Sequence, residues 1–235
     1  MTYDIYYLKL KKPFEHLAHH NINMGRKSLK DARQLEIVEI FYKVAREEGY
    51  ENTSIAKIAK VMEVNPSLIL HYFTTKEDLT YALIDYILER YLLIFTIENK
   101  EKIVLSDLIN TIETLFSKKW NLLFDDGLFY TFYALAFREE IIREKYKTIL
   151  DSLRLALACM IEQCHTCNLI NVPDYQTASD LIFVLVDGTY FYLSLEKDKE
   201  VYDQRLDYYK VKAYQILGLD PSTFSNISVV SYLTT

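Results

Sequence analysis

Residues 53–79 read TSIAKIAKVMEVNPSLILHYFTTKEDL, and the organisation of the chain follows from how that stretch folds. Asn52, Thr53 and Ser54 offer short polar side chains to cap a helix, after which Ile55, Ile58, Ala59 and Met62 recur on one helical face. Glu63-Val64 makes a turn. Asn65 followed by Pro66 is a second helix start, because the asparagine oxygen caps free amides and proline arrives with a helical backbone angle. This helix is expected to run to Phe73 and to break at Thr74-Thr75. Thr75 then caps a longer helix, with Glu77 and Asp78 where acids complement the positive end of the helix dipole.

Upstream, Ile37, Val38, Phe41, Tyr42, Val44 and Ala45 repeat at three- and four-residue spacing. The pattern predicts a helix from Leu35 to Glu48, with Gly49 as its left-handed stop. Downstream, the helix opened by Lys76 continues through Tyr91 to Phe95. Helical segments follow over 103–120, 128–137, 140–164, 175–195 and 201–217, separated by breaks such as Asp125-Asp126-Gly127, Asn171-Val172-Pro173 and Lys197-Asp198-Lys199. Half of the residues are apolar, with only five glycines and four prolines, which excludes disorder and a many-stranded sandwich. The expected fold class is all-α: an N-terminal three-helix unit of helix-turn-helix type followed by a larger helical domain.

No stretch reaches the roughly 18 uninterrupted apolar residues of a membrane span, and the first residues lack a secretory apolar core. Cys159, Cys164 and Cys167 are odd in number and clustered on one segment, unlike a disulfide framework, so a cytoplasmic, reducing location is expected. The net charge of −6 is unevenly spread: residues 1–34 hold seven Lys/Arg against three acids (+4), leaving 20 against 30 (−10) for the rest. Residues 1–34 therefore read as a basic extension, either a solvated tail or an arm that touches nucleic acid. His16, His19 and His20 lack partners at ligand spacing, so no metal is expected. Residues 220–235 read as a mobile Ser/Thr-rich tail.

Three short helices with a tight turn before the last have the geometry in which one helix bridges a DNA backbone and the next enters the major groove. The strings Thr53–Ala59, Val64–Phe73 and Lys76–Leu79 sharpen this: in residue type and spacing, Leu35 to about Ile84 resembles the TetR (tetracycline repressor) family signature. The resemblance implies a transcriptional regulator, most often a repressor, that binds a palindromic site on double-stranded DNA as a homodimer and is released by a small-molecule effector. It implies that Asn65, Ser67, Leu68, His71 and Tyr72 lie on the outward side of the recognition helix. Of these, Asn65 and Ser67 suit base edges or phosphates and Leu68 suits a thymine methyl. Thr53 and Lys76 take the family's phosphate-contacting positions. Leu70 is a departure, standing where the family usually has a phosphate-binding tyrosine. A larger contribution is therefore expected from the arm residues Arg26, Lys27, Lys30 and Arg33, partly in an A/T-favouring minor groove.

For the domain at 81–219, which follows a DNA-binding domain at 35–80, the resemblance implies effector binding and dimerisation. Leu181, Ile182, Val184, Leu185, Tyr190, Tyr192 and Leu193 on one long helix exceed what one intramolecular face would bury. So do Tyr208, Tyr209, Val211, Tyr214, Ile216 and Leu217 on the next, and a two-fold four-helix bundle would absorb the excess. An aromatic concentration around residues 120–137 is either plain core or the effector pocket, for which Trp120, Phe129, Tyr133, Phe137, Cys159, Phe183, Asp187 and Tyr190 are candidate liners. Two alternatives stay open: a regulator of the same type switched by oxidation of Cys159, Cys164 or Cys167, and a helical enzyme or ligand-binding bundle. The chain has no phosphate-cradling glycine loop, nucleophile elbow or HExxH pair, and no cofactor is expected.

Overall fold

The computed structural model describes residues 26–92, 103–118 and 125–220, all helix and connecting turn, with no strand among the described residues. Residues 1–25, with their three histidines, and 221–235 lie outside the described residues. The chain divides into two compact units between Tyr86 and Ile87.

The first unit is built from α1 (Arg26–Glu48), α2 (Ile55–Val61), α3 (Pro66–Tyr72) and the opening turns of α4 (Lys76–Leu92). α1 begins at Arg26 rather than at Leu35. Its buried stripe does start at Ile37, but residues 26–34 are rich in Lys, Arg, Ala, Leu and Gln, which extend a helix by backbone propensity without an apolar face to betray it. Gly49 ends α1 at φ +84°, its amide on the Ala45 carbonyl at 2.9 Å. Ile37, Phe41 and Val44 of α1, Ile58 and Ala59 of α2, Ile69 of α3, and Phe73, Leu79 and Leu83 beyond are all buried, and α1, α2 and α3 pack on one another. Each large side chain so enclosed stabilises the unit by about 1.5–3 kcal/mol relative to exposure.

The turn between α2 and α3 is set from both sides. At the end of α2, Glu63 adopts φ +56°, its amide reaches the Lys60 carbonyl at 3.2 Å, and the Val64 amide reaches Ala59 at 3.0 Å, the paired closure of a Schellman cap. At the start of α3, Asn65 caps the helix and Pro66 fills its first position.

The second unit comprises the rest of α4, α5 (Leu105–Leu115), α6 (Asp126–Leu135), α7 (Glu140–Thr166), α8 (Tyr175–Leu193) and α9 (Lys199–Ile216). α7 packs against α5, α6 and α8, and α9 against α5 and α8. Buried hydroxyls tie the layers: Tyr190 Oη donates to the Leu115 carbonyl at 2.8 Å, and Tyr214 Oη donates to Glu113 Oε1 at 2.7 Å beside the Lys210–Glu113 ion pair. No described helix is long and apolar enough to cross a membrane.

The apolar surplus expected on α8 and α9 divides in three, with Leu185, Tyr209, Val211 and Ile216 half-buried. Ile182, Tyr190, Leu193, Tyr214 and Leu217 belong to the unit's own core, whereas Leu181, Val184, Tyr192 and Tyr208 are exposed. Phe191, and Leu195 just beyond α8 at 80% exposure, join the exposed set.

Candidate nucleic-acid interface

α3 is seven residues long and is anchored by Ile69 and, just past its end, Phe73, both buried. The opposite side carries Asn65, Pro66, Ser67, Leu70 and His71, all exposed. Asn65 Oδ1 accepts the Ser67 amide at 2.9 Å and the Ser67 hydroxyl at 2.8 Å, so the first turn is held by a polar pair that also faces solvent.

Three of the five residues expected to face outward, Asn65, Ser67 and His71, are thus fully on the exposed side, while Leu68 and Tyr72 are half-buried. The Tyr72 carbonyl accepts Gln34 Nε2 of α1 at 3.3 Å, and its ring meets His71 edge-on with centroids 5.2 Å apart. Leu70, noted in the sequence only for the tyrosine it replaces, is 46% exposed. It is the aliphatic side chain that α3 offers to its surroundings. Periodicity alone does not separate Leu68 from Leu70, since both flank Ile69 by one helical step.

Thr53 is corrected by the structure. It is 1% exposed, its hydroxyl donates to the Gly49 carbonyl at 2.9 Å and its amide to the Tyr50 carbonyl at 3.1 Å. Both donors that a phosphate would need are therefore spent inside the α1–α2 turn. The exposed cap of α2 is Ser54, whose Oγ accepts the Lys57 amide at 3.3 Å.

Lys76 is the first residue of α4 and is half-buried, with Nζ 5.0 Å from the centre of the Tyr50 ring. Of the arm residues, Lys30 is exposed, and Arg33 is half-buried and paired with Glu36. Arg26 and Lys27 are the first residues of α1, and their side chains lie outside the described residues. All four stand on α1, so any contact they make with a groove or a phosphate is made by side chains reaching out from a helix and not by an extended arm.

In the second unit the candidate effector liners fall into separate groups. Phe129 and Tyr133 of α6 stack at 6.0 Å and 11°, and Tyr146 of α7 lies 5.6 Å from each. Tyr91 of α4 completes the cluster 5.7 Å from Phe129. Neither Tyr91 nor Tyr146 stood out in the sequence, where their helical spacing reads as ordinary core. Burial pushes the Tyr91 hydroxyl well above its usual range, and burial, aided by Asp125, raises the Asp126 carboxyl nearby. Phe137 touches Tyr133 but is 71% exposed.

Phe183 is buried beneath the Arg154 guanidinium, 5.1 Å from its ring, and Arg154 pairs with exposed Asp187 at 3.0 Å. Tyr190 is committed to the end of α5. Cys159 is half-buried on α7, and Trp120 lies outside the described residues. Among the described residues no group of three or more His, Cys, Asp or Glu is disposed to hold a metal.

Two family models match the chain: residues 42–83 match "Bacterial regulatory proteins, tetR family", and residues 104–219 match "Tetracyclin repressor-like, C-terminal domain". The chain belongs to the TetR family. The first match covers the α2–α3 unit just described, and the second runs from the start of α5 to the end of α9. The structure of this TetR-family transcriptional regulator is similar to a TetR transcription regulator from Haloarcula marismortui (TM-score 0.65, 21% identity, 80% of this chain and 97% of that one). It is also similar to the reduced form of Escherichia coli NemR (TM-score 0.63, 12% identity, 78% and 97%) and to Salmonella enterica GusR (TM-score 0.56, 16% identity, 79% and 95%). At these identities the likeness is one of fold. No curated protein sequence matches this one.

Proposed function

We propose that this TetR-family regulator binds a palindromic operator on double-stranded DNA as a homodimer, represses transcription, and is released by a small-molecule effector. The observation that carries the DNA reading is the outward side of α3: Asn65, Ser67, Leu70 and His71 are exposed around a helix anchored by Ile69 and Phe73. A surface of amide, hydroxyl, aliphatic and imidazole groups on a helix held out by its neighbours suits base edges in a major groove. Lys30, Arg33, Ser54 and Lys76 are assigned to phosphates, with Arg26 and Lys27. In this reading residues 35–80 read DNA, 81–219 bind effector and partner, and 1–34 and 220–235 flank them, in the cytoplasm where the chromosome is reached.

Dimerisation is supported by α8. Val184, Gly188, Phe191 and Leu195 recur at helical spacing and are all exposed. Among the described residues, nothing beyond its chain neighbours and the backbone of its own helix lies within 4 Å of where a Cβ on Gly188 would stand. A glycine inside an exposed helix costs roughly 0.5–1 kcal/mol against alanine, and close approach of a second helix gives it a purpose. Beside it runs an apolar groove of about 480 Å³ lined by Leu181, Val184, Leu185, Lys212, Gln215 and Ile216.

Effector release is supported by the aromatic cluster around Phe129 and Tyr133, whose tyrosines combine an apolar body with a polar tip. At Cys159 and Cys164 a thiol switch is disfavoured, because burial raises both thiols and so disfavours the reactive thiolate.

The test is enrichment of genomic fragments on the purified protein, followed by small-molecule screening against the recovered duplex. A two-fold symmetric site bound with steep salt dependence is expected. Indifference to all duplexes at low ionic strength overturns the reading. In sedimentation, Phe191→Glu should yield monomers that lose the site, and a wild-type monomer that binds it overturns the dimer.

A further inference from the structure

Lys76 is an unusual choice for its position. It opens α4, where the unpaired amides make the helix end positive and a cation is disfavoured, and Glu77 and Asp78 follow it there as the residues the dipole would choose. No carboxylate among the described residues pairs with its ammonium group, in contrast to Lys57, which is paired with Glu48, and Arg33, paired with Glu36. Its ammonium lies instead 5.0 Å from the centre of the Tyr50 ring.

That ring is fixed from its far end. Thr80 Oγ1 donates to the Lys76 carbonyl at 2.8 Å, which commits its single hydrogen. The Tyr50 hydroxyl, 3.2 Å from the same Oγ1, therefore acts as donor to it. Tyr50 is thus tied through Thr80 to the backbone of the residue whose side chain it carries, and it sits directly after the Gly49 stop of α1. A carboxylate in the place of that ring would hold Lys76 equally well but cancel its charge. An aromatic face orients the ammonium and leaves the positive charge for an outside anion.

We propose that Tyr50 is a positioning residue for DNA binding: it pre-orients Lys76 for a backbone phosphate without neutralising it. The proposal rests on the assignment of Lys76 to a phosphate. Phosphate contacts are independent of sequence, so a mixed-sequence duplex serves as the probe, with the full-length protein and binding followed by fluorescence anisotropy over a salt series.

Lys76→Met should weaken binding and reduce the salt slope by about 0.9 per subunit, as loss of one phosphate contact requires. Tyr50→Leu should weaken binding about fivefold with the slope retained, because the lysine is still present but no longer held. In the Lys76→Met background Tyr50→Leu should have no further effect, a non-additivity that a merely structural tyrosine would not produce. Should Tyr50→Leu fail to fold, Tyr50→Phe and the same substitution made with a ring-fluorinated phenylalanine isolate the ring's electrostatics. The fluorinated ring should bind DNA more weakly than plain phenylalanine at equal thermal stability.

Equal loss from Tyr50→Leu with and without Lys76, or equal binding by the two phenylalanine forms, overturns the proposal. An unchanged affinity and slope in Lys76→Met overturns it too, through the phosphate assignment, while the groove assignment of α3 stands. Absence of binding by the wild-type protein instead defeats the DNA reading as a whole.

Discussion

The side-chain oxygen of Asn65 accepts both the backbone amide and the hydroxyl of Ser67, at 2.9 and 2.8 Å. One atom thus caps α3 and orders the exposed polar pair at the end of α3 that would enter a groove. Stability and recognition can be separated here by charge. Asn65→Asp keeps a good cap and should leave thermal unfolding nearly unchanged, yet it sets an anion before the phosphates and should reduce DNA affinity at least tenfold at low salt. Asn65→Ala should instead lose about 1 kcal/mol of stability. Equal DNA affinity in Asn65→Asp and the wild type would remove this end of α3 from the interface.

The half-exposed aliphatic chain of Leu70 has an apolar counterpart in the major groove, the thymine methyl. Replacing single thymines by uracil in a recovered operator removes that methyl alone. One such replacement per half-site should weaken binding by the wild-type protein, and Leu70→Ala should be insensitive to it. A uracil scan with no effect at any position places Leu70 away from the bases.

Glu63 holds φ +56° in the α2–α3 turn, a left-handed backbone that costs a side-chain-bearing residue about 1–2 kcal/mol. Glu63→Gly relieves this and loses part of the gain to unfolded-state entropy, for a net stabilisation of up to about 1 kcal/mol. The urea midpoint of unfolding should rise. A fall would mean that the glutamate side chain contributes more than its backbone costs.

Burial, with smaller contributions from Cys167 and Asp107, pushes the Cys164 thiol up from 9.0 to about 11. The raised value means that the folded state favours the neutral thiol. This contribution to stability is full below pH 9 and is lost as pH climbs through about 11. Chemical denaturation across this range should show a decline that Cys164→Ala reduces. Near neutral pH the thiolate fraction is about a hundredfold below that of an ordinary thiol, so peroxide should leave Cys164 unmodified by mass spectrometry and leave DNA binding intact. Rapid alkylation of the native protein would reopen the thiol switch.

The α2–α3 unit was legible because its punctuation is local: Gly49, Asn65, Pro66 and Thr75 each act within a turn of themselves. The start of α1 was not, because residues 26–34 carry no buried stripe and only backbone propensity extends the helix there. Thr53 was misplaced for a related reason. A threonine before a helix caps it with its side chain in extended backbone, but here Ser54 takes that position and Thr53 closes the preceding turn, a choice made by the path from Gly49. In the second unit, spacing grouped Phe129 with Tyr133 but could not find Tyr91 and Tyr146, which arrive from other helices. Nor could it tell that Tyr190 faces inward while Phe191 faces solvent, since packing partners, and not sequence order, fix the rotation of α8.

The exposed side of α3 contains neither a guanidinium nor an ammonium group. Guanine offers two neighbouring acceptors that arginine or lysine grasps best, so this protein's vocabulary should be poor in G·C pairs wherever α3 does the reading. Its selectivity would then be insensitive to salt even though its adhesion is not. A single Ser67→Arg exchange would be enough to teach it a new letter, giving a lineage that carries this helix a short route to a different set of promoters.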